Sequence, residues 1–135
     1  MALQYSTTLR NAQLDTIETT IGTSAVLKFR TGSPPSDVAA SDSGTVLATL
    51  SLPSDWMAAA SAGAKAKTGT WEDTSADNTG TVGHFRIYAS DGTTAHMQGT
   101  VTATGGGGDM TVDNVSFAAA QAFSVTSFTL TDANA

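Results

Sequence analysis

Two histidines, His84 and His96, are the residues from which a metal or acid–base site would be built. Strand alternation puts both on one face of neighbouring strands, off direct opposition. A metal would need a third ligand, and Arg86 lies between them, where a cation opposes another cation. Solvent-facing or interfacial histidines are therefore expected. Asp73, Asp77 and Asn78 carry oxygens suited to calcium, but their spacing lacks the EF-hand pattern. Glu72 and Asp73 are sequential, so on a strand they point apart and cannot act as a paired acid and base. Among 14 serines none sits in a G-x-S-x-G turn. The run Gly105 to Gly108 precedes a strand rather than a helix and has no lysine nearby. It reads as a flexible hairpin connector, not a phosphate cradle. No catalytic residue, metal or cofactor is assigned, and an enzyme is not expected.

Aromatic and apolar residues offer a different chemistry, that of contact. Trp56 and Trp71 could each stack on a sugar, anchor an interface or fill a core. Trp71 stands in an alternating strand, which favours core. Trp56 and Met57 follow Pro53-Ser54-Asp55 in a stretch of small residues and are expected as interface anchors. Leu9, which lies off the apolar stripe of its helix beside Ala12 and Thr16, is a further interface candidate. So are Pro34 and Pro35, which sit in a long loop.

The elements that must position these residues are mainly strands. Met110 to Leu130 reads as two arms joined by Ala118-Ala119-Ala120. Antiparallel pairing sets Phe117 against Phe123, Val115 against Val125, Val112 against Phe128 and Met110 against Leu130. Both arms change their apolar face, at Asp113-Asn114 and Thr126-Ser127, as at a sandwich corner. Burial of both faces is the alternative. Thr81 to Ala103 reads as a second hairpin. A three-residue loop, Ser90-Asp91-Gly92, pairs Ile87 with Ala95 and Phe85 with Met97 and places Gly92 in a left-handed conformation. A two-residue Asp91-Gly92 turn would pair Ile87 with His96 instead, mixing apolar with polar.

Ser6 to Ile21 is the one substantial helix expected, capped by Ser6 or Thr7 and ended by Gly22. Leu14, Ile17 and Ile21 form its inward stripe, with Leu3 on the extension. Ala25 to Arg30 and Thr45 to Leu52 alternate as strands, the first with Lys28 and Arg30 outward. Thr31 to Gly44 is a long loop. A short helical turn is expected over residues 56–60. Lys65 to Trp71 alternates, with Lys65 and Lys67 outward. About seven strands and one helix in a single domain, residues 1–135, suggest an antiparallel β-sandwich or jelly-roll-like fold.

Composition agrees with that class. Thr, Ala, Ser and Gly make up more than half of the 135 residues. There is no cysteine, so disulfides and thiolate metal sites are excluded. Twelve acidic against six basic residues give a net charge of -6, which argues against direct nucleic-acid binding. No run is long enough to span a membrane, and no signal peptide is evident.

The segments Leu3-Gln-Tyr-Ser-Thr-Thr-Leu-Arg-Asn-Ala12, Leu52-Pro-Ser-Asp-Trp-Met57, Gly69-Thr-Trp-Glu72 and Gly83-His-Phe-Arg-Ile-Tyr88 resemble a family of small virion structural proteins of tailed bacteriophages and prophages. The resemblance covers nearly the whole chain and carries no catalytic residue. It implies a virion protein made in the host cytoplasm. By analogy with other small β-rich phage proteins, it implies a capsid cement or decoration protein that binds the major capsid protein or other virion proteins as a homo-oligomer. A tail or fibre component and a glycan-binding module are the alternatives. Met1 to Tyr5, Thr31 to Gly44 and Ala58 to Ala64 are the expected reaching arms.

Overall fold

Residues 3–132 are described in the computed structural model, so Met1 and Ala2 of the expected first arm lie outside the described residues. The described residues are mainly β with one helix. Helix α1 spans Thr7–Ile21. Ser6 caps it, its hydroxyl accepting from the Leu9 N–H at 3.2 Å, and Gly22 ends it at φ +92°. Leu14 and Ile21 are buried and Ile17 half-buried, as the stripe requires. Leu3 is a correction: it is 75% exposed. Backbone at Ser6 is extended, so helical spacing does not reach Leu3.

Ten short strands follow: β1 (Val26–Thr31), β2 (Val46–Ser51), β3 (Ala64–Ala66), β4 (Trp71–Asp73), β5 (Gly80–Tyr88), β6 (Ala95–Ala103), β7 (Met110–Val112), β8 (Ser116–Phe117), β9 (Phe123–Val125) and β10 (Thr129–Thr131). The main sheet runs β2-β1-β5-β6-β7, with β8 pairing the start of β5. Two-stranded sheets join β10 to β3 and β4 to β9. One face of the main sheet is apolar. Leu27 pairs with Leu50 and Ile87, and Phe29 with Ala48 and Phe85. Trp56, Trp71, Phe117, Val125 and Phe128 pack over this face. Phe128 meets Phe85 edge-on at 5.8 Å and Trp71 at 5.9 Å. Such aromatic pairs add to the stabilisation from buried area.

The C-terminal hairpin is corrected. Its arms do not pair with each other: β7 joins β6 in parallel, β8 joins β5, β9 joins β4 and β10 joins β3. Phe117 and Phe123 still meet, ring centroids 4.1 Å apart. An apolar face fixes which side of a strand turns inward. It does not choose the backbone partner, because any edge with free N–H and C=O groups can serve. The turn between the arms is fastened instead to Ala76, which exchanges backbone hydrogen bonds with Ala120 and Gln121. The glycine run links two parallel strands rather than a hairpin, with Gly105 and Gly107 at positive φ.

In the β5–β6 hairpin the faces are as expected but the register is not. Ile87 pairs with Met97 and Phe85 with Gly99, two residues from the expected partners. The loop closes one residue later than expected, between the Ala89 N–H and the Thr94 carbonyl, with the Asp91 carboxylate accepting from the Thr93 and Thr94 N–H groups, and a bulge between Ile87 and Tyr88 supplies the second residue of the shift. A shift of two residues keeps every side chain on its face. Gly99 fits this register: a Cβ there would lie 2.8 Å from the Phe85 ring. The expected helical turn over 56–60 is absent; Ala58 N–H donates to the Ala66 carbonyl in an extended pairing.

Gly92 adopts φ +71°. Replacing it with valine forces an L side chain into the left-handed region and is expected to destabilise the protein by about 1–2 kcal/mol. Urea unfolding measures this, and an unchanged midpoint would contradict the loop.

Candidate functional site

The second face of the main sheet is polar. Alternation places Lys28 and Arg30 of β1 beside Arg86 and His84 of β5, with Gln98 of β6 next to Arg86. Arg30, His84 and Arg86 are nonetheless buried. Their cover is the segment Thr31 to Gly44. It is therefore not an outward arm but a strap folded over its own sheet.

Arg86 holds the strap. Its Nη2 donates to the carbonyls of Asp37, Val38 and Ala40 at 3.0–3.3 Å and to Gln98 Oε1 at 2.8 Å. Its Nε also donates to Gln98 Oε1, and its Nη1 reaches Asp42 Oδ1 at 2.7 Å. The same Asp42 oxygen accepts from the Tyr88 hydroxyl at 2.7 Å, and the other takes Arg30 Nη2 at 2.9 Å. One carboxylate thus serves two guanidiniums and a phenol. Pro34 and Pro35 lie half-buried in the strap, and the Pro35 carbonyl accepts from Gln98 Nε2. Arg30 expected outward is a correction: the strap supplies the acceptors that let it stay buried.

Electrostatics follow from this geometry. Burial alone would raise the Asp42 carboxyl, but the Tyr88 and Arg86 hydrogen bonds and the nearby arginine charges outweigh it and hold the group below its ordinary value. Burial pushes the Tyr88 phenol up, reinforced by Asp42. His84 is fully buried, not solvent-facing. Its Nδ1 lies 2.8 Å from the Gly32 carbonyl, which can only accept, so Nδ1 carries the proton. Nε2 is buried without a hydrogen-bond partner among the described residues. Burial depresses the imidazole pKa, the Gly32 bond opposes that, and the Arg30 and Arg86 charges add to the depression.

A second ionic centre fixes α1. Lys65, expected outward, is 2% exposed. Its Nζ contacts Asp15 at 2.7 Å, Glu18 at 2.8 Å and the Ala58 carbonyl at 2.9 Å. Asp15 also accepts from the Ala60 N–H, Glu18 from the Met57 N–H, and Asn11 from the Gly63 N–H. Residues 58–64 are thereby stitched to the helix rather than reaching away. Burial would lower the lysine, but both carboxylates raise it above its usual value.

The remaining candidates separate clearly. Trp56 is 0% exposed and donates from Nε1 to the Gly22 carbonyl, and Met57 is 1% exposed, so neither is a surface anchor. Trp71 is core, as expected, and neither tryptophan is open to stack on a sugar. His96 is exposed while His84 is buried, so the two do not form a metal pair. Asp73 and Asp77 accept from the backbone and hydroxyl of Thr49, and Asn78 donates to the Val46 carbonyl. Among the described residues no group of three potential ligands is gathered. Leu9 is exposed, as its position off the stripe implies. It joins Leu3 and Tyr5 as the exposed large apolar residues of the described chain. No described helix is long and apolar enough to cross a membrane.

The strap imposes an acid dependence. His84 titrates below its ordinary 6.5 when folded, so unfolded chains take up the proton first as pH falls. Stability is therefore expected to decline below about pH 6.5. Asp42, also depressed, adds a loss of the same sign below about pH 4. Thermal melts across this range should slope downward in the wild type and less so between about pH 6.5 and 5 in His84→Gln. Equal slopes in the two proteins would contradict this role for His84.

Comparison with protein-family models, curated proteins and solved structures returns no significant match for this chain.

Proposed function

We propose that this protein is a bacteriophage virion structural protein, a capsid cement that docks on the head shell and braces it. The observation that carries the reading is the placement of Leu3, Tyr5 and Leu9. These large apolar side chains are exposed within one short N-terminal segment, at 75%, 41% and 46%. Exposed apolar residues grouped in this way favour contact with another protein. The same segment, Leu3 to Ala12, is one of those that resemble the phage proteins. The rest of the chain is suited to a brace: its long loop and its helix are each tied down by a buried cation. Weak docking by a small segment becomes strong when repeated across a symmetric lattice.

Purified protein mixed with expanded, undecorated heads should bind saturably, in fixed ratio to the capsid protein. Replacing Leu3 and Tyr5 with aspartate should weaken that binding about tenfold or more. Label found on tails alone, with none on heads, would contradict the cement role and favour a tail or fibre part.

A further inference from the structure

The geometry points to the strap, residues 32–44, as an acid-released cover: a proton on His84 lifts it from the main sheet while the sheet itself stays folded. This goes beyond the virion reading and does not depend on it.

The strap is built to move as a unit. Its two ends are tied together, the Thr31 N–H donating to the Thr45 carbonyl and the Thr45 N–H to Thr31 Oγ1. Gly32 and Gly44, at φ +77° and +72°, turn the chain in and out. No residue from 32 to 44 is buried, and none belongs to the apolar core. What holds the strap down is polar: the acceptors it offers to Arg30, Arg86, Tyr88 and Gln98. A segment held in this way opens at lower cost than the apolar sheet beneath it.

His84 lies under the entry to this segment. The Gly32 backbone rests on Gly83, where a Cβ would stand 2.2 Å from the Gly32 carbonyl oxygen, and that oxygen accepts from His84 Nδ1. Across the sheet His84 faces Arg30 of β1 and Thr100 of β6, and Arg86 follows it on the same face of β5. Arg30, Arg86 and Asp42 are the charges that act on the imidazole. Lys28 lies further along the face with its ammonium at the Gly92 carbonyl, and the Asp37 carboxylate is turned to the Ala40 N–H. Tyr88 is kept a neutral phenol, and β6 adds only the uncharged Gln98 and Thr100.

A proton on Nε2 therefore meets no acceptor. His84 Nε2 and Arg30 Nε are both buried without a partner among the described residues, and both Asp42 oxygens are already taken. The imidazolium would sit beside two guanidiniums with one N–H unsatisfied. Water supplies the missing acceptor, and the strap is what keeps water out. Protons thus favour the open form, where His84 titrates at its ordinary value. The opening constant rises by up to about tenfold for each pH unit below about 6.5. Asp42 is held below its ordinary value and stays ionised through this range, so its titration is separate. Lifting the strap bares a face carrying Lys28, Arg30, His84 and Arg86 on a chain whose net charge is -6.

Solvent exchange of the Arg30 and Arg86 Nε–H protons, followed by NMR on the full chain, reads the opening, and the amides of Phe29 and Phe85 report on the sheet. Between about pH 7 and 5, guanidinium protection corrected for intrinsic exchange should fall about tenfold or more, while sheet protection stays level. In His84→Gln, whose side chain stays neutral and can still donate to Gly32, guanidinium protection should not follow pH. Constant protection in the wild type overturns the inference, as does a parallel loss in the sheet amides or an equal fall in His84→Gln. Should the glutamine variant lack protection already at neutral pH, the wild-type imidazole titration decides. The fall must level off at the pH where His84 itself titrates, and a fall that continues through that pH overturns the inference.

Discussion

A buried guanidinium must have its hydrogen bonds made, and that requirement at Arg86 shapes half of this fold. Leaving such a charge uncompensated inside a protein is strongly destabilising. The sheet itself offers Arg86 only Gln98. Every other acceptor comes from the segment between β1 and β2: three carbonyls and the Asp42 carboxylate. The long loop is therefore not spare chain. It is the second cover of a sheet whose other face carries the apolar core.

The same logic recurs at smaller scale beneath the helix. Helix α1 is short and rich in threonine, so its own propensity is weak. Its apolar stripe supplies part of its anchorage and the buried Lys65 another part, drawing in Asp15 and Glu18. One lysine thus holds both acidic side chains of the helix against the segment that carries Ala58 and Ala60.

Much of the architecture was legible from residue types. Ser6, Gly22 and the Leu14–Ile21 stripe specify the helix, and alternation identifies the inward residues of β1, β5 and the C-terminal segments. Partner choice was not legible, because Phe117, Val125 and Phe128 look alike to any apolar face. Nor was the register of the β5–β6 hairpin, since a loop one residue longer and a bulge beside Tyr88 together shift it by two and leave the faces unchanged. Trp56 misled because small neighbours suggest exposure, while the indole N–H found the Gly22 carbonyl inside. The strap left a signal that could have been read. Lys28, Arg30, His84 and Arg86 share one face of adjacent strands, and such a face needs a carboxylate-bearing cover. Asp42 lies in the one loop long enough to provide it.

The dependence of the strap on Arg86 can be measured directly by amide hydrogen exchange on Arg86→Met, an apolar replacement of similar length. The account predicts that peptides covering residues 33–44 lose protection, while those from β1 and the remainder of β5 keep theirs. Unchanged protection across the strap would contradict it, and would mean that the loop is held by something other than the buried guanidinium.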